Sequence, residues 1–158
     1  MSRLLGNELT KALLKRLNGQ DVGIYEGKII PIFTLDESGW PHPALLSYYE
    51  VVAKNSTTID IALWRNSSTA RNLRQTNKIT FLITDKGVNY YLKGKVKELQ
   101  AEIPGIPLQS RFRVTTEQLL EDQEPNAEIT SGLTYSRRQE RAATDHTVEV
   151  FNRLRGEP

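Results

Sequence analysis

The residues with the most chemical potential lie together in Trp64-Arg65-Asn66-Ser67-Ser68-Thr69-Ala70-Arg71-Asn72-Leu73-Arg74. Three consecutive hydroxyls stand where a helix needs side-chain acceptors for its unpaired first-turn N–H groups. Arg71 falls within or beside that first turn, where the positive end of the helix dipole repels a cation. Arg65 lies just upstream and Arg74 one turn on. Hydroxyls, free N–H groups and converging cations describe a place for an anion, most simply a phosphate, whose charge reverses the unfavourable electrostatics. A well-capped helix with solvated arginines fits the same residues, and the stretch alone leaves both readings open.

Other chemistries are poorly supplied. The chain contains no cysteine, which removes disulfides, thiolate ligands and thiol nucleophiles. His42 and His146 are far apart and not at ligand spacing, which argues against a catalytic zinc. No Ser/His/Asp set or carboxylate pair is defended by spacing. Any reaction would therefore be carried by a bound cofactor, with the protein supplying placement and electrostatics. Trp64 could stack on a planar ligand, or serve equally well as a core or interface tryptophan.

The elements that must position these residues are read from hydrophobic period. Ile59, Ile61 and Leu63 alternate with Thr58, Asp60 and Ala62, so a half-buried strand leads straight into the helix opened by Ser67–Thr69. Upstream, Asn7 is expected to cap a helix over 8–17 whose Leu9, Leu13 and Leu17 share a face, stopped at Asn18-Gly19. Strands are expected over 28–35 and about 42–52, joined by a tight turn at Asp36–Gly39. The second of these has apolar residues on both faces, as in a strand covered from two sides.

After the helix, which ends near Thr76-Asn77, the segments 78–84 and 88–99 read as a hairpin turning at Asp85-Lys86-Gly87. Its second strand carries Lys93, Lys95 and Lys97 on one face, simplest as a solvated surface, and Gly94 marks a bulge or close approach. Residues 108–115 could add a strand, Thr116 a cap for a helical turn at 117–121, and 128–135 a short final strand. Ser136-Arg137-Arg138-Gln139 has capping-box spacing, so a terminal helix is expected over 136–155, with Ala143, Thr147, Val150, Phe151 and Leu154 as its apolar stripe. Five strands with short turns and an inserted helix favour a small antiparallel barrel: a mainly β fold with flanking helices.

With 158 residues and 38% apolar content, one domain over 1–158 is expected, its barrel spanning 28–115. A formal net charge of +2 names no nucleic-acid or membrane partner. Met1–Gly6 has no signal-peptide core and no later run approaches ~20 apolar residues, so the expected location is the cytoplasm.

In order, Gly39-Trp40-Pro41-His42, Ser67-Ser68-Thr69-Ala70-Arg71-Asn72-Leu73 and Tyr90-Tyr91-Leu92-Lys93-Gly94-Lys95 resemble the pyridoxamine 5′-phosphate oxidase-like family, with Ile129–Thr134 as a weaker echo. The resemblance covers roughly residues 25–100. It implies an FMN-binding antiparallel split β-barrel and a homodimer with flavin at the subunit interface. Deazaflavin F420 and haem are the alternative cofactors, since members of the superfamily carry them too.

Carried over by position, the resemblance implies phosphate contacts from Ser67, Ser68 and Thr69 with Arg71 and Asn72. Ala62, Leu63 and Trp64 would border the ring, and the strand holding Leu46 and Ser47 would run beside it. Asn89 keeps the amide of a glutamine that touches the cofactor. Where oxidase members have Arg-Lys after the serine, this chain has Ser68-Thr69, so charge must come from Arg71, Arg74 or Arg65. The 44–49 strand also lacks the family's arginine and lysine at its ends, which counts against pyridoxamine phosphate as substrate. The implied function is an FMN-dependent oxidoreductase of a small organic substrate. A non-catalytic flavin-binding or sensor protein, or an interaction module without cofactor, remain the alternatives.

Overall fold

Two-residue alternation dominates the chain, and the strands it marks share one sheet. The computed structural model describes residues 1–142 and 145–156. Its strands are β1 (Ser2–Gly6), β2 (Ile29–Leu35), β3 (Pro41–Ser47), β4 (Val51–Asn55), β5 (Thr58–Trp64), β6 (Lys78–Asp85), β7 (Val88–Gln100) and β8 (Gln109–Asp122). Helices α1 (Lys11–Leu17), α2 (Ser68–Thr76) and α3 (His146–Arg155) flank them. The order across the sheet is β3-β2-β6-β7-β8-β5-β4, with β1 added along β8, and every pairing is antiparallel.

β8 organises this curled sheet. It pairs with β7 along most of its length, with β5 through Gln109–Thr115 and with β1 through Leu119–Asp122. Opposite Lys93-Gly94 the register jumps from Gln118 to Thr116, leaving Glu117 as the extra residue of a bulge. A bulge bends its strand and sharpens the twist, which is how a sheet closes towards a barrel. Gly94 permits the bend, because a Cβ there would lie 2.4 Å from Val114 Cγ1 and 2.9 Å from the Thr115 carbonyl oxygen.

The concave face holds the main core, including Ile30, Ile32, Ile59, Ile61, Phe81, Ile83, Leu92 and Phe112, closed by Leu13 and Leu17 of α1 and Ala70 and Leu73 of α2. On the opposite face, α3 lays Val150, Phe151 and Leu154 over Tyr49, Val52 and Ala62. A helix therefore supplies the second cover that the two-sided apolar pattern near residue 50 called for. The end of α3 is tied down by buried charge. Asp60, on β5, is 0% exposed and accepts from both Arg111 and Arg113. Arg111, 1% exposed, also donates to the carbonyls of Arg153, Leu154 and Gly156. Lys54 Nζ donates to the last carbonyls from the other strand, at 2.9 Å to Leu154 and Arg155. Cations on orphan C-terminal carbonyls satisfy both the hydrogen bonds and the dipole.

Several local expectations are corrected by tertiary contacts. The first helix begins at Lys11 under the Thr10 cap, because Leu9 donates its N–H to Ser56 and Thr116 bonds the Asn7 carbonyl. The strand expected over 42–52 is broken by a 3-10 turn at Tyr48–Glu50, where the Ser47 N–H and hydroxyl donate to Glu50 Oε2. The barrel extends beyond 115, since residues 117–121 are strand: pairing with both β7 and β1 outweighs a single turn of helix. Residues 128–135 form an extended segment with one isolated bridge, Lys28↔Thr134. The terminal helix begins at His146 rather than 136, capped by Asp145, whose Oδ1 accepts from the Thr147 N–H at 2.8 Å. Arg137 and Arg141 are drawn instead to Asp145 and, for Arg141, to Glu26. Ala143 lies outside the described residues. Among the described residues no helix is long and apolar enough to cross a membrane.

Candidate functional site

The junction of β5 and α2 gathers most of the sequence-predicted site residues. Ser67 is the N-cap, its Oγ accepting from the Ala70 N–H at 3.1 Å. The first-turn N–H groups of Ser68 and Thr69 have no carbonyl within reach inside the helix. Ser68 is exposed, and its Oγ accepts from Arg71 Nη2 at 3.1 Å. Thr69 is buried, and Asn72 is buried with its Nδ2 donating to Thr34 Oγ1 on β2 at 3.0 Å. These two side chains therefore dock the helix on the sheet.

The three arginines do not converge as the spacing allowed. Arg74 forks onto Glu98, with Nη2 to Oε1 at 2.7 Å, and further donates to the Arg65 carbonyl and Ser110 Oγ. The fork raises the Arg74 pKa and lowers that of Glu98. Arg65 meets Glu102 at 3.1 Å. Among the described residues Arg71 has no carboxylate partner, only the Ser68 hydroxyl. An exposed cation thus stands at the positive end of a helix dipole without compensation, and an anion placed there would meet one guanidinium, one hydroxyl and first-turn N–H groups.

Trp64, the last residue of β5, is 55% exposed and belongs to no core cluster. His146, at the start of α3, stacks on it with ring centroids 5.6 Å apart and planes 14° from parallel. Gln109, paired with Trp64 across the sheet, brings its Nε2 to 3.5 Å from His146 Nε2. Sequence spacing missed both partners, because 82 residues separate the two rings and only the docking of α3 joins them. Glu50 was missed although Ser47-Tyr48-Tyr49-Glu50 has capping-box spacing, because the alternation over 42–52 reads as one strand. Burial raises its carboxyl pKa, against the pull of the Ser47 hydrogen bonds, Arg141 and His146.

The other predicted residues are placed differently. Leu46 and Leu63 point into the main core, so at those positions only backbone could face a ligand. Ser47 is spent on Glu50. Asn89 is remote: its Oδ1 accepts from Thr84 Oγ1 at 2.7 Å, beside the β6–β7 turn. From there to Glu98, the partner of Arg74, β7 runs nine residues, about 30 Å at a strand's rise. Asn89 thus lies at the opposite end of β7 from the Arg74–Glu98 ion pair that borders the junction. Among the described residues no group of three or more acidic, histidine or cysteine side chains could hold a metal.

No protein-family model matches the chain. The uncharacterized protein YclD of Bacillus subtilis is 32% identical over 127 residues, covering 80% of this chain and 82% of its own. Among solved structures, a pyridoxamine 5′-phosphate oxidase-like protein of Lactobacillus delbrueckii superposes with a TM-score of 0.58 at 12% identity, over 75% of this chain and 98% of that one. An FMN-binding protein of Syntrophomonas wolfei superposes with a TM-score of 0.52 at 16% identity, over 72% of this chain and 88% of its own. The chain belongs to one family with YclD, and its fold is the antiparallel split β-barrel of the pyridoxamine 5′-phosphate oxidase-like proteins.

Proposed function

We propose that this chain is a single-domain, cytoplasmic flavoprotein that binds FMN at the β5–α2 junction and acts as an oxidoreductase of a small organic substrate. The carrying observation is the charge imbalance there: Glu102 and Glu98 neutralise Arg65 and Arg74, and no carboxylate among the described residues neutralises Arg71. A phosphate supplies the missing charge, accepting from Arg71, Ser68 and the first-turn N–H groups. The half-open indole of Trp64, just upstream of the cap, offers a face for a planar ring. The FMN-binding neighbour of the same fold supports this choice of cofactor. FMN, when bound, supplies hydride or electron transfer at its ring. The chain orients it, with Ser67 holding the helix end open and Asn72 fixing the helix to β2.

The remote position of Asn89 supports a homodimer, in which this amide would serve the flavin held by the partner's junction. One chain builds the phosphate end; a second would supply the opposite wall.

An absorbance spectrum of freshly purified protein, followed by titration with FMN, tests the reading. Flavin bands or tight uptake are expected, and Arg71→Ala should weaken binding by about 1–3 kcal/mol, the worth of a charge-assisted bond. Unchanged affinity in that variant would remove Arg71 from the site. Uptake of F420 or haem in place of FMN would replace the cofactor, and indifference to all three would leave an interaction module. Turnover with reduced nicotinamide and an artificial acceptor separates an oxidoreductase from a flavin binder that lacks a substrate site.

A further inference from the structure

The sheet is open between β2 and β6. Their register contains Ile32↔Phe81 and Phe33↔Thr80, whereas β2 pairs with β3 over seven positions and β6 with β7 over eight. Beyond Phe33 and Thr80 the strands bound a cleft of about 510 Å³, within the range of small-molecule sites. One wall is apolar: Phe33 and Leu35 of β2, with Pro41 paired to Leu35 from β3. The other is cationic, because Lys78 and Thr80 of β6 pair with Lys95 and Lys93 of β7 and bring three ammonium groups to one rim.

The charges on that rim are unequal. Lys95 has a counter-ion in the bulge residue Glu117, at 3.7 Å. Lys78 and Lys93 meet no carboxylate among the described residues. Lysines on an edge need only solvent, and these are exposed to it, but they border the same cleft as an apolar wall. A ligand that satisfies both walls must have an apolar body and an anionic end.

We propose that the β2–β6 cleft is a binding site for a small amphipathic monoanion, an aromatic or medium-chain aliphatic carboxylate or sulfonate. Its body lies on Phe33, Leu35 and Pro41, and its acid group reaches Lys93 and Lys78. The flexible ammonium stems let the charge follow ligands of different length, so the site selects by amphipathy and sign more than by shape. The inference is independent of the flavin reading, since none of the β5–α2 residues lines the cleft.

The test is a fluorescence titration of the full chain with 8-anilino-1-naphthalenesulfonate, with 2-naphthoate as competitor. One probe per chain, displaced by 2-naphthoate, is expected. The double variant K78E/K93E should weaken binding about tenfold or more, the scale of one charge-assisted hydrogen bond. Lys86→Glu, which reverses a charge at the distant β6–β7 turn, should leave affinity unchanged. All three lysines are exposed, and melting curves verify that the variants fold. Equal weakening by Lys86→Glu would reduce the effect to net charge and overturn the site. So would unchanged binding in the double variant. Loss of probe binding as the chain self-associates, followed by size-exclusion chromatography, would overturn it in favour of a second copy seated on the cleft.

Discussion

Asp60 is fully buried under two guanidinium groups, so Asp60→Asn removes one charge while nearly preserving volume. Asn offers one acceptor oxygen where the carboxylate offers two, and turns an amide NH₂ towards donors that have no use for it. Arg111 is left 1% exposed without its counter-ion. Breaking a buried ion pair from one side costs about 3–5 kcal/mol. The three α3 carbonyls that also accept from Arg111 retain part of its solvation, which places the expected loss near the lower end, about 3 kcal/mol. For a chain of this length that corresponds to a melting temperature lower by roughly 6–12 °C. Urea denaturation and thermal melting at neutral pH measure it, and amide exchange in α3 should accelerate along with the global change. Acid provides an internal control. Burial raises the Asp60 pKa, but Arg113 and Arg111 more than offset it and the net shift is downward. A lowered carboxyl pKa contributes stability that is complete above the ordinary carboxylate range and is lost as pH falls through the lowered value. The gap between wild type and Asp60→Asn should therefore narrow on acidification. A variant that melts within about 2 °C of wild type would show that this network does not hold α3.

Gly94→Ala should destabilise the fold by about 1–3 kcal/mol through overpacking, since its Cβ would collide with Val114 and the Thr115 carbonyl; adding Val114→Ala should recover part of the loss, and simple additivity in denaturation midpoints would refute the contact. Ser67→Ala should cost about 1 kcal/mol through removal of the cap, and a melt indistinguishable from wild type would remove Ser67 from that role. Glu50 has a raised pKa in the fold, so the unfolded chain ionises first and wild-type stability falls as pH rises from the ordinary carboxylate range through the raised value. Glu50→Gln keeps an acceptor for Ser47 and should flatten that dependence; parallel curves in urea midpoints at pH values across the window would contradict the burial argument. Phe151→Ala should cost about 3–5 kcal/mol by emptying the α3 contact with Tyr49, read by the same denaturation series.

Much of the architecture was legible because its signals are short-range. The alternation of Ile59, Ile61 and Leu63, the Asp36–Gly39 and Asp85–Gly87 turns, and the Ser67 cap each depend on neighbours within a few residues, and each appears where the spacing placed it. Competition between near-equal local states was not legible. Thr116–Glu121 has helix-capping chemistry, yet pairing on two sides makes it strand. Residues 136–142 have capping-box spacing, yet Arg141 finds Glu26 and the face of Tyr49, its guanidinium 3.9 Å from the ring centroid.

The sequence by itself determined a small antiparallel barrel, a capped helix straight after the strand that ends at Trp64, and a cluster of hydroxyls and cations at that helix's start, because period, caps and turns are set by adjacent residues. Only the tertiary structure decided which cations remain available there. Glu98 and Glu102 reach Arg74 and Arg65 from more than twenty residues away, and that depends on strand register. The tertiary structure also set His146 against Trp64. Packing chooses among side-chain partners that are distant in the chain, and a linear pattern carries no information about which of them it will bring within hydrogen-bonding reach.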